Sequence, residues 1–229
     1  MVMEIKPIAF FKSPFAEKFG IPRQAGLSPS VKGSIVFEPE YRNQEAVRGL
    51  EGFDYIWLIW GFSANKPRTA PADKTRFQST VRPPRLGGNE RVGVFASRSP
   101  FRPNSLGLSA VKVESIGEGP VIHVLGADLM DGTPIYDIKP YVTYADSHPD
   151  ARSGFVDGNR WEPLEVIFPE DPFPEGLDID ALREVLAQDP RPRYQEDPEK
   201  VYGMDFGGFQ VHFRVEEGIV HVLSIESNL

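Results

Sequence analysis

Cysteine is absent from this 229-residue chain. That excludes disulfides, thiolate metal sites and a cysteine nucleophile. No G-x-G-x-x-G follows a strand pattern, so a nucleotide-binding parallel α/β fold has no support, and there is no P-loop. No serine sits in a nucleophile elbow. The four histidines (His123, His148, His212, His221) are scattered, without the spacing of a metal site. No apolar run approaches the roughly 18 residues that span a bilayer. The opening residues, Met1 to Lys6, lack the charged-then-apolar layout of a secretory signal. The expectation is a cytoplasmic protein with no membrane and no bound metal.

What is present favours turns and short strands. The chain has 22 Pro and 21 Gly, and both residues punctuate regular structure. The apolar fraction is 40%, with 16 Phe and 3 Trp, enough for a real core. Net charge is −8, which taken alone disfavours a polyanionic partner. The charge is uneven, however. Residues 66–102 carry nine Lys or Arg against two acids, so this segment is at +7 and the remainder at −15. Residues 162–199 hold twelve acids and three Arg. A basic central segment suits phosphate binding; it also suits a plain solvated surface.

Periodicity predicts strands at 4–11, 33–37, 53–62, 91–97, 106–116, 121–127 and 135–138, and one helix near 43–50. The run 53–62 is almost continuously apolar, as for a strand covered on both faces. Short strands without intervening helices point to a closed barrel or sandwich. The texture changes after residues 146–162. Asp178 is a good N-cap for a helix at 179–188, which Asp189-Pro190 ends. Residues 209–215 alternate strictly and pair with 219–225 through Glu216-Glu217-Gly218. The fold class read from these patterns is mainly β: a β-barrel over 1–150 and a smaller α+β domain over 151–229.

Three polar, glycine-rich segments exceed what a core needs. In 80–89, Arg82 and Arg85 bracket a stiff Pro-Pro, followed by two glycines. In 98–107, Pro100 and Pro103 restrict the backbone around Arg98, Arg102 and Asn104. Arginine forks match carboxylate or phosphate, and asparagine matches an adenine edge. In 128–141, a strand would place Asp137, Lys139 and Tyr141 on one face, a plausible proton-transfer cluster. Each segment also has an ordinary reading, as exposed connector or surface ion pair.

At these segments the chain resembles the bacterial TrmO (YaeB) family, the tRNA (adenosine-37, N6-threonylcarbamoyl) N6-methyltransferases. The matching stretches are KFGIPRQAGL (18–27), AVRGLEGFDYIWLIWGF (46–62), TVRPPRLGGNERVGVFASRSPFRPNSLGLS (80–109), LMDGTPIYDIKPYVTYADSHPDA (129–151), VLAQDPRPRY (185–194) and VYGMDFGGFQVHFRV (201–215). The resemblance implies a β-barrel methyltransferase, S-adenosylmethionine as methyl donor, and a homodimer. It further implies cofactor contacts at Gln24, Ala25 and Gly26, at Phe62 and Ser63, at Arg98 and Leu108, and at the turn Asp128, Leu129, Met130 and Asp131.

The chemistry then asks for alignment of an adenine amine with an electrophilic methyl group and for removal of a proton. Asp137 is the candidate base or orienter, with Lys139 and Tyr141 stabilising charge on the carbamoyl oxygen. Arg102 and Asn104 position the nucleotide. Arg82 and Arg85 meet the threonyl carboxylate or the phosphates of the tRNA anticodon loop. Two rival readings predict different outcomes. A non-catalytic RNA-binding barrel would not bind S-adenosylmethionine, and a methyltransferase of the same fold with another substrate would not depend on the threonylcarbamoyl group.

Overall fold

The computed structural model describes residues 4–64, 79–83, 90–158, 162–170, 172–192 and 197–228. Six strands close a barrel: β1 (Ala9–Lys12), β2 (Lys32–Phe37), β3 (Tyr55–Gly61), β6 (Leu106–Gly117), β7 (Val121–Leu125) and β8 (Pro134–Pro140). The order around the barrel is β1-β2-β7-β6-β3-β8, and β1 pairs with β8 to remove the sheet edges. All these pairings are antiparallel, as short connections allow. The two-residue strands β4 (Thr80–Val81) and β5 (Val92–Gly93) pair with each other outside the barrel.

Side chains alternate across the barrel wall. Phe11, Ile35, Ile56, Leu58, Ile122 and Ile135 are fully buried inside. The expectation that 53–62 is covered on both faces does not hold within one chain. Tyr55 is exposed on the outer face, and Trp57 and Ile59 are half-buried there. The expected helix at 43–50 is two separate 3-10 turns, Gln44–Val47 and Leu50–Gly52. Gly49, at φ 90°, interrupts them, since left-handed backbone cannot continue a helix. The expected strand at 91–97 shrinks to Val92–Gly93, because Val94–Ala96 coils into another 3-10 turn.

The second domain is a four-stranded sheet in the order β10 (Tyr202–Phe206), β11 (Phe209–Glu216), β12 (Ile219–Ser227), β9 (Glu165–Ile167), with only β12–β9 parallel. Helix α2 (Ile179–Ala187) covers one face. Asp178 caps it by accepting from the Ala181 N–H at 3.1 Å. The alternation read at 209–215 holds: Phe209, Val211, Phe213 and Val215 are all buried. The four-residue helix α1 (Thr143–Asp146) closes the barrel domain. The two cores are joined by a segment that a boundary at 150 does not anticipate. Between β1 and β2, residues 13–31 leave the barrel and place Phe15 and Val31 in the core of the second domain. Phe19 stacks on Tyr202 and Phe213 there.

Candidate active site

Strand direction determines where the motifs meet. The C-terminal ends of β1, β3 and β7 and the N-terminal ends of β2, β6 and β8 lie at one mouth of the barrel, as the registers Lys12↔Ser34, Gly61↔Leu106 and Phe10↔Pro134 require. The β1–β2, β3–β6 and β7–β8 connections therefore all open at that mouth. They carry the 24–26 loop, the arginine-rich segments and the 128–131 turn.

The mouth is organised around Asp128. Its Oδ1 accepts a 2.6 Å hydrogen bond from the Ser109 hydroxyl, which in turn accepts from the Trp60 indole N–H at 3.1 Å. Bonds this short to an ionised acceptor are the strong kind. Burial pushes the Asp128 carboxyl above the usual carboxylate range. The Ser109 hydroxyl, the backbone N–H groups of Asp128 and Ala25, and the charge of Arg98 pull it back only in part. Burial disfavours the charged form more than these partners favour it. Arg98 also donates to Gln24 Oε1. Gln24, Ala25, Arg98 and Asp128 thus converge. Gly26 joins them through its N–H to Gly126 O at 2.8 Å.

Two glycines make this packing possible. A Cβ on Gly107 would lie 2.3 Å from the Trp60 ring, so the indole seats only over a bare backbone. A Cβ on Gly126 would meet Gly26 and Pro29 backbone at 3.4–3.5 Å, and its φ is +70°. Phe62 completes this side with its ring 4.4 Å from that of Trp60. Ser63 follows, exposed.

The turn 128–131 is split in function. The Leu129 side chain is 1% exposed and belongs to the barrel core, so only its backbone reaches the mouth. Met130 is half-buried. The Asp131 carboxylate turns to β1, accepting from Ser13 N at 3.1 Å and pairing with Lys12 at 3.5 Å. It ties the turn to the 12–15 segment.

The remaining candidates occupy the outer wall. Leu108 and Asp137 both lie opposite Ile59, and Ala110 and Lys139 both lie opposite Trp57. A bulge between Ile59 and Trp60 inserts Tyr136, which turns Ile135 inward and Asp137 outward. The Tyr141 ring packs 5.7 Å from Trp57 and 6.2 Å from Tyr55. Lys139, largely exposed, pairs at 3.5 Å with Asp137, which is half exposed. The expected alignment of Asp137, Lys139 and Tyr141 on one face is thus present, but that face is on the far side of the wall from Asp128.

The loop 94–105 is stiffened by its own side chains. Arg102 donates to Val94 O at 3.1 Å and Ser97 O at 2.8 Å. Ser97 and Ser99 hydroxyls accept from the Ser99 and Phe101 N–H groups. Arg102 therefore shapes the loop, while Arg98, Asn104 and Arg82 remain exposed. Arg85 lies outside the described residues.

The comparisons with known proteins agree with this fold. The tRNA-methyltransferase O N-terminal domain family matches residues 10–147, and the TrmO C-terminal domain family matches 174–228. The chain belongs to the TrmO family. A relative from Escherichia coli, named tRNA (adenine(37)-N6)-methyltransferase, is 38% identical over 236 residues and 97% of both chains. A Pseudomonas aeruginosa relative, named a putative S-adenosylmethionine-dependent methyltransferase, is 38% identical over 98% of both chains. The crystal structure of TrmO from Pseudomonas aeruginosa superposes with a TM-score of 0.80 at 31% identity, covering 99% of each chain.

Within this TrmO-family chain, sequence reasoning missed Ser109, Trp60 and Gly107. Their signal was the register of two paired apolar strands, which single-strand periodicity does not reveal. It also missed Phe95 and Phe101, which are 69% and 54% exposed on the arginine-rich loop. Large exposed aromatics among arginines are a legible mark of a nucleic-acid surface.

Proposed function

We propose that this chain methylates N6 of N6-threonylcarbamoyladenosine at position 37 of tRNA, using S-adenosylmethionine, in the cytoplasm and as a homodimer. The observation that carries the reading is the convergence of Asp128, Arg98, Gln24 and the 24–26 loop at one barrel mouth in a TrmO-family chain. The donor set fits the cofactor. It offers a half-buried carboxylate for its cationic or hydroxyl groups, an arginine for its carboxylate, and apolar rings at Trp60 and Phe62. When bound, S-adenosylmethionine supplies a methyl group on a sulfonium sulfur, already electrophilic, so the protein has only to align the amine and remove its proton.

Asp128 and Arg98 hold the cofactor by charge. Gln24, Ala25 and Gly26 wrap it with a loop that Gly126 lets approach closely, and Phe62, Ser63 and the backbone of Leu129, Met130 and Asp131 form the rim. Asn104 and Arg82 face the anticodon loop, whose phosphates Arg85 also binds, and Arg102 keeps the protein's 94–105 loop in shape. Phe95 and Phe101 offer flat apolar rings to unstacked bases. Asp137 takes the N6 proton, with Lys139 and Tyr141 beside it against the carbamoyl oxygen. A second copy unites the two surfaces. The outer wall around Leu108, Ile59 and Trp57 is an exposed apolar patch around a charged pair, the composition of an interface. Seating one copy's mouth on the other's wall brings Leu108 and Asp137 to the cofactor.

The test is incubation with S-adenosylmethionine and tRNA with or without the threonylcarbamoyl group, followed by mass analysis of nucleosides. The expected product is threonylcarbamoyladenosine carrying one more methyl, formed only on the modified tRNA. Methylation of unmodified tRNA to the same extent would point to a different substrate. Absence of S-adenosylmethionine binding would favour a non-catalytic RNA-binding barrel.

A further inference from the structure

The 24–26 loop has its crest in the barrel and both feet in the second domain. On its N-terminal side, Phe19 stacks on Tyr202 and Phe213, each with 6.4 Å between ring centroids. Gly20 lies so close to Met204 that a Cβ would sit 2.3 Å from the sulfur. On its C-terminal side, Glu184 of α2 receives two hydrogen bonds from one residue: Ser30 N to Oε2 and Ser30 Oγ to Oε1, both 2.7 Å. Gln188, one helical turn further on the same face, donates to Leu27 O at 3.3 Å. Val31 then enters the core of the second domain. The crest touches the barrel through Gly26 N to Gly126 O at 2.8 Å and through Gln24 and Ala25 to Arg98 and Asp128, and Gly126 N donates in turn to Val31 O at 2.8 Å.

We propose that the second domain sets the affinity of the barrel for S-adenosylmethionine, with Glu184 as the positioning residue that holds the cofactor loop at the mouth. This rests on the reading of the mouth as the cofactor site. The physical case is one of ordering. A loop of this length, anchored to the barrel alone, must lose backbone freedom when a ligand binds, and each ordered residue opposes binding. A carboxylate accepting two short bonds from Ser30 removes that freedom in advance. A charged acceptor makes each of these bonds stronger than a neutral one. The residue is placed to do this because α2 buries Leu182, Val185 and Leu186, which leaves positions 184 and 188 on the flank facing the loop.

Two measurements on the full chain test it. The first is hydrogen exchange of the cofactor-free protein. In Glu184→Ala, the Gly26 amide exchanges faster while the Val111 amide, in the barrel core, keeps its protection. The second is calorimetric titration with S-adenosylmethionine. Its Kd rises about tenfold in Glu184→Ala, the scale of losing hydrogen bonds to a charged group, and less in Glu184→Gln, which keeps one acceptor oxygen. The KM for S-adenosylmethionine follows the Kd, and kcat at saturation stays within about twofold. Should Glu184→Ala loosen Val111 as well, Ser30→Ala, which removes one of the two bonds, carries the same test. An unchanged Kd with a loosened Gly26, or an unchanged Gly26, overturns the proposal. Arg98→Ala separates the two readings. If it too leaves the Kd unchanged, the mouth is not the cofactor site. If it weakens binding and the Glu184 variants do not, only the positioning role fails.

Discussion

The mouth and the outer wall of the barrel each present a carboxylate, in opposite environments. Asp128 is half-buried, fixed by Ser109 and faced by Arg98. Asp137 is half exposed, its Oδ1 accepting only from the next N–H, at 2.9 Å, and its Oδ2 meeting a solvent-exposed Lys139. The first is preorganised, as a site that holds charge must be. The second has partners that cost little to exchange, since exposed ion pairs contribute little. Asp128 lies in the β7–β8 connection at the mouth and Asp137 on the outer face of β8, so in the proposed reading a single chain separates holding from chemistry.

The sharpest way to break that comparison is Asp137→Asn. We expect kcat to fall by about 10²–10⁴-fold, the range of general acid–base catalysis, with S-adenosylmethionine Kd unchanged; wild-type turnover in a folded variant would remove Asp137 from the chemistry. Asp128→Asn should do the reverse, raising Kd by about 10–100-fold, as for a lost charged partner. Mixing the two variants then asks whether mouth and wall come from different copies. Random exchange makes half the dimers mixed, and each mixed dimer of a twofold-symmetric enzyme assembles one site free of both changes. Assayed at S-adenosylmethionine well below the Kd of the Asp128 variant, about a quarter of wild-type activity should return after subunit exchange; no return would place mouth and wall of the same chain in one site.

Strands with a clear alternation were legible in the sequence: 106–116 and 121–127 fall within a residue or two of β6 and β7, whereas the strand expected at 4–11 starts only at Ala9. At 43–50 and 91–97 apolar spacing predicts regular structure, but glycine and short 3-10 turns break it. The members of the candidate site were mostly named, but their partition between two faces was not. That partition depends on the bulge at Tyr136 and on how β3 registers with β6 and β8, which involves three segments far apart in the chain. The junction at 13–31 was hidden for a similar reason: Phe15 and Val31 look like barrel residues until a second core is there to receive them.

A milder perturbation acts on the mouth alone. Gly107→Ala places a methyl against the Trp60 ring. We expect a stability loss of about 1–3 kcal/mol, the usual cost of overpacking, read as a lower denaturation midpoint. S-adenosylmethionine Kd should rise severalfold, because Trp60 and Ser109 form the chain of bonds that fixes Asp128. A variant with wild-type midpoint and Kd would show that the indole can move aside without consequence for the carboxylate.

The smallest effect at neutral pH, and the most specific, is in the pH dependence. Burial raises the Asp128 carboxyl above its ordinary range. As pH falls through that raised value the group is neutralised, and its attraction for a cationic ligand is lost. S-adenosylmethionine binding should therefore weaken on acidification earlier than an ordinary carboxylate would require. The effect on folding has the opposite sign. The native state binds this proton more tightly than the unfolded chain does. Stability from Asp128 is thus full below the unfolded value and declines as pH rises through the folded one. Asp128→Asn removes that decline while keeping an oxygen for Ser109. Its denaturation midpoint at pH 7 should be no lower than that of the wild type even as its affinity falls, and its binding should be flat across the acidic range. A variant that binds weakly yet retains the wild-type pH slope would assign the slope to another group and leave Asp128 with a packing role only.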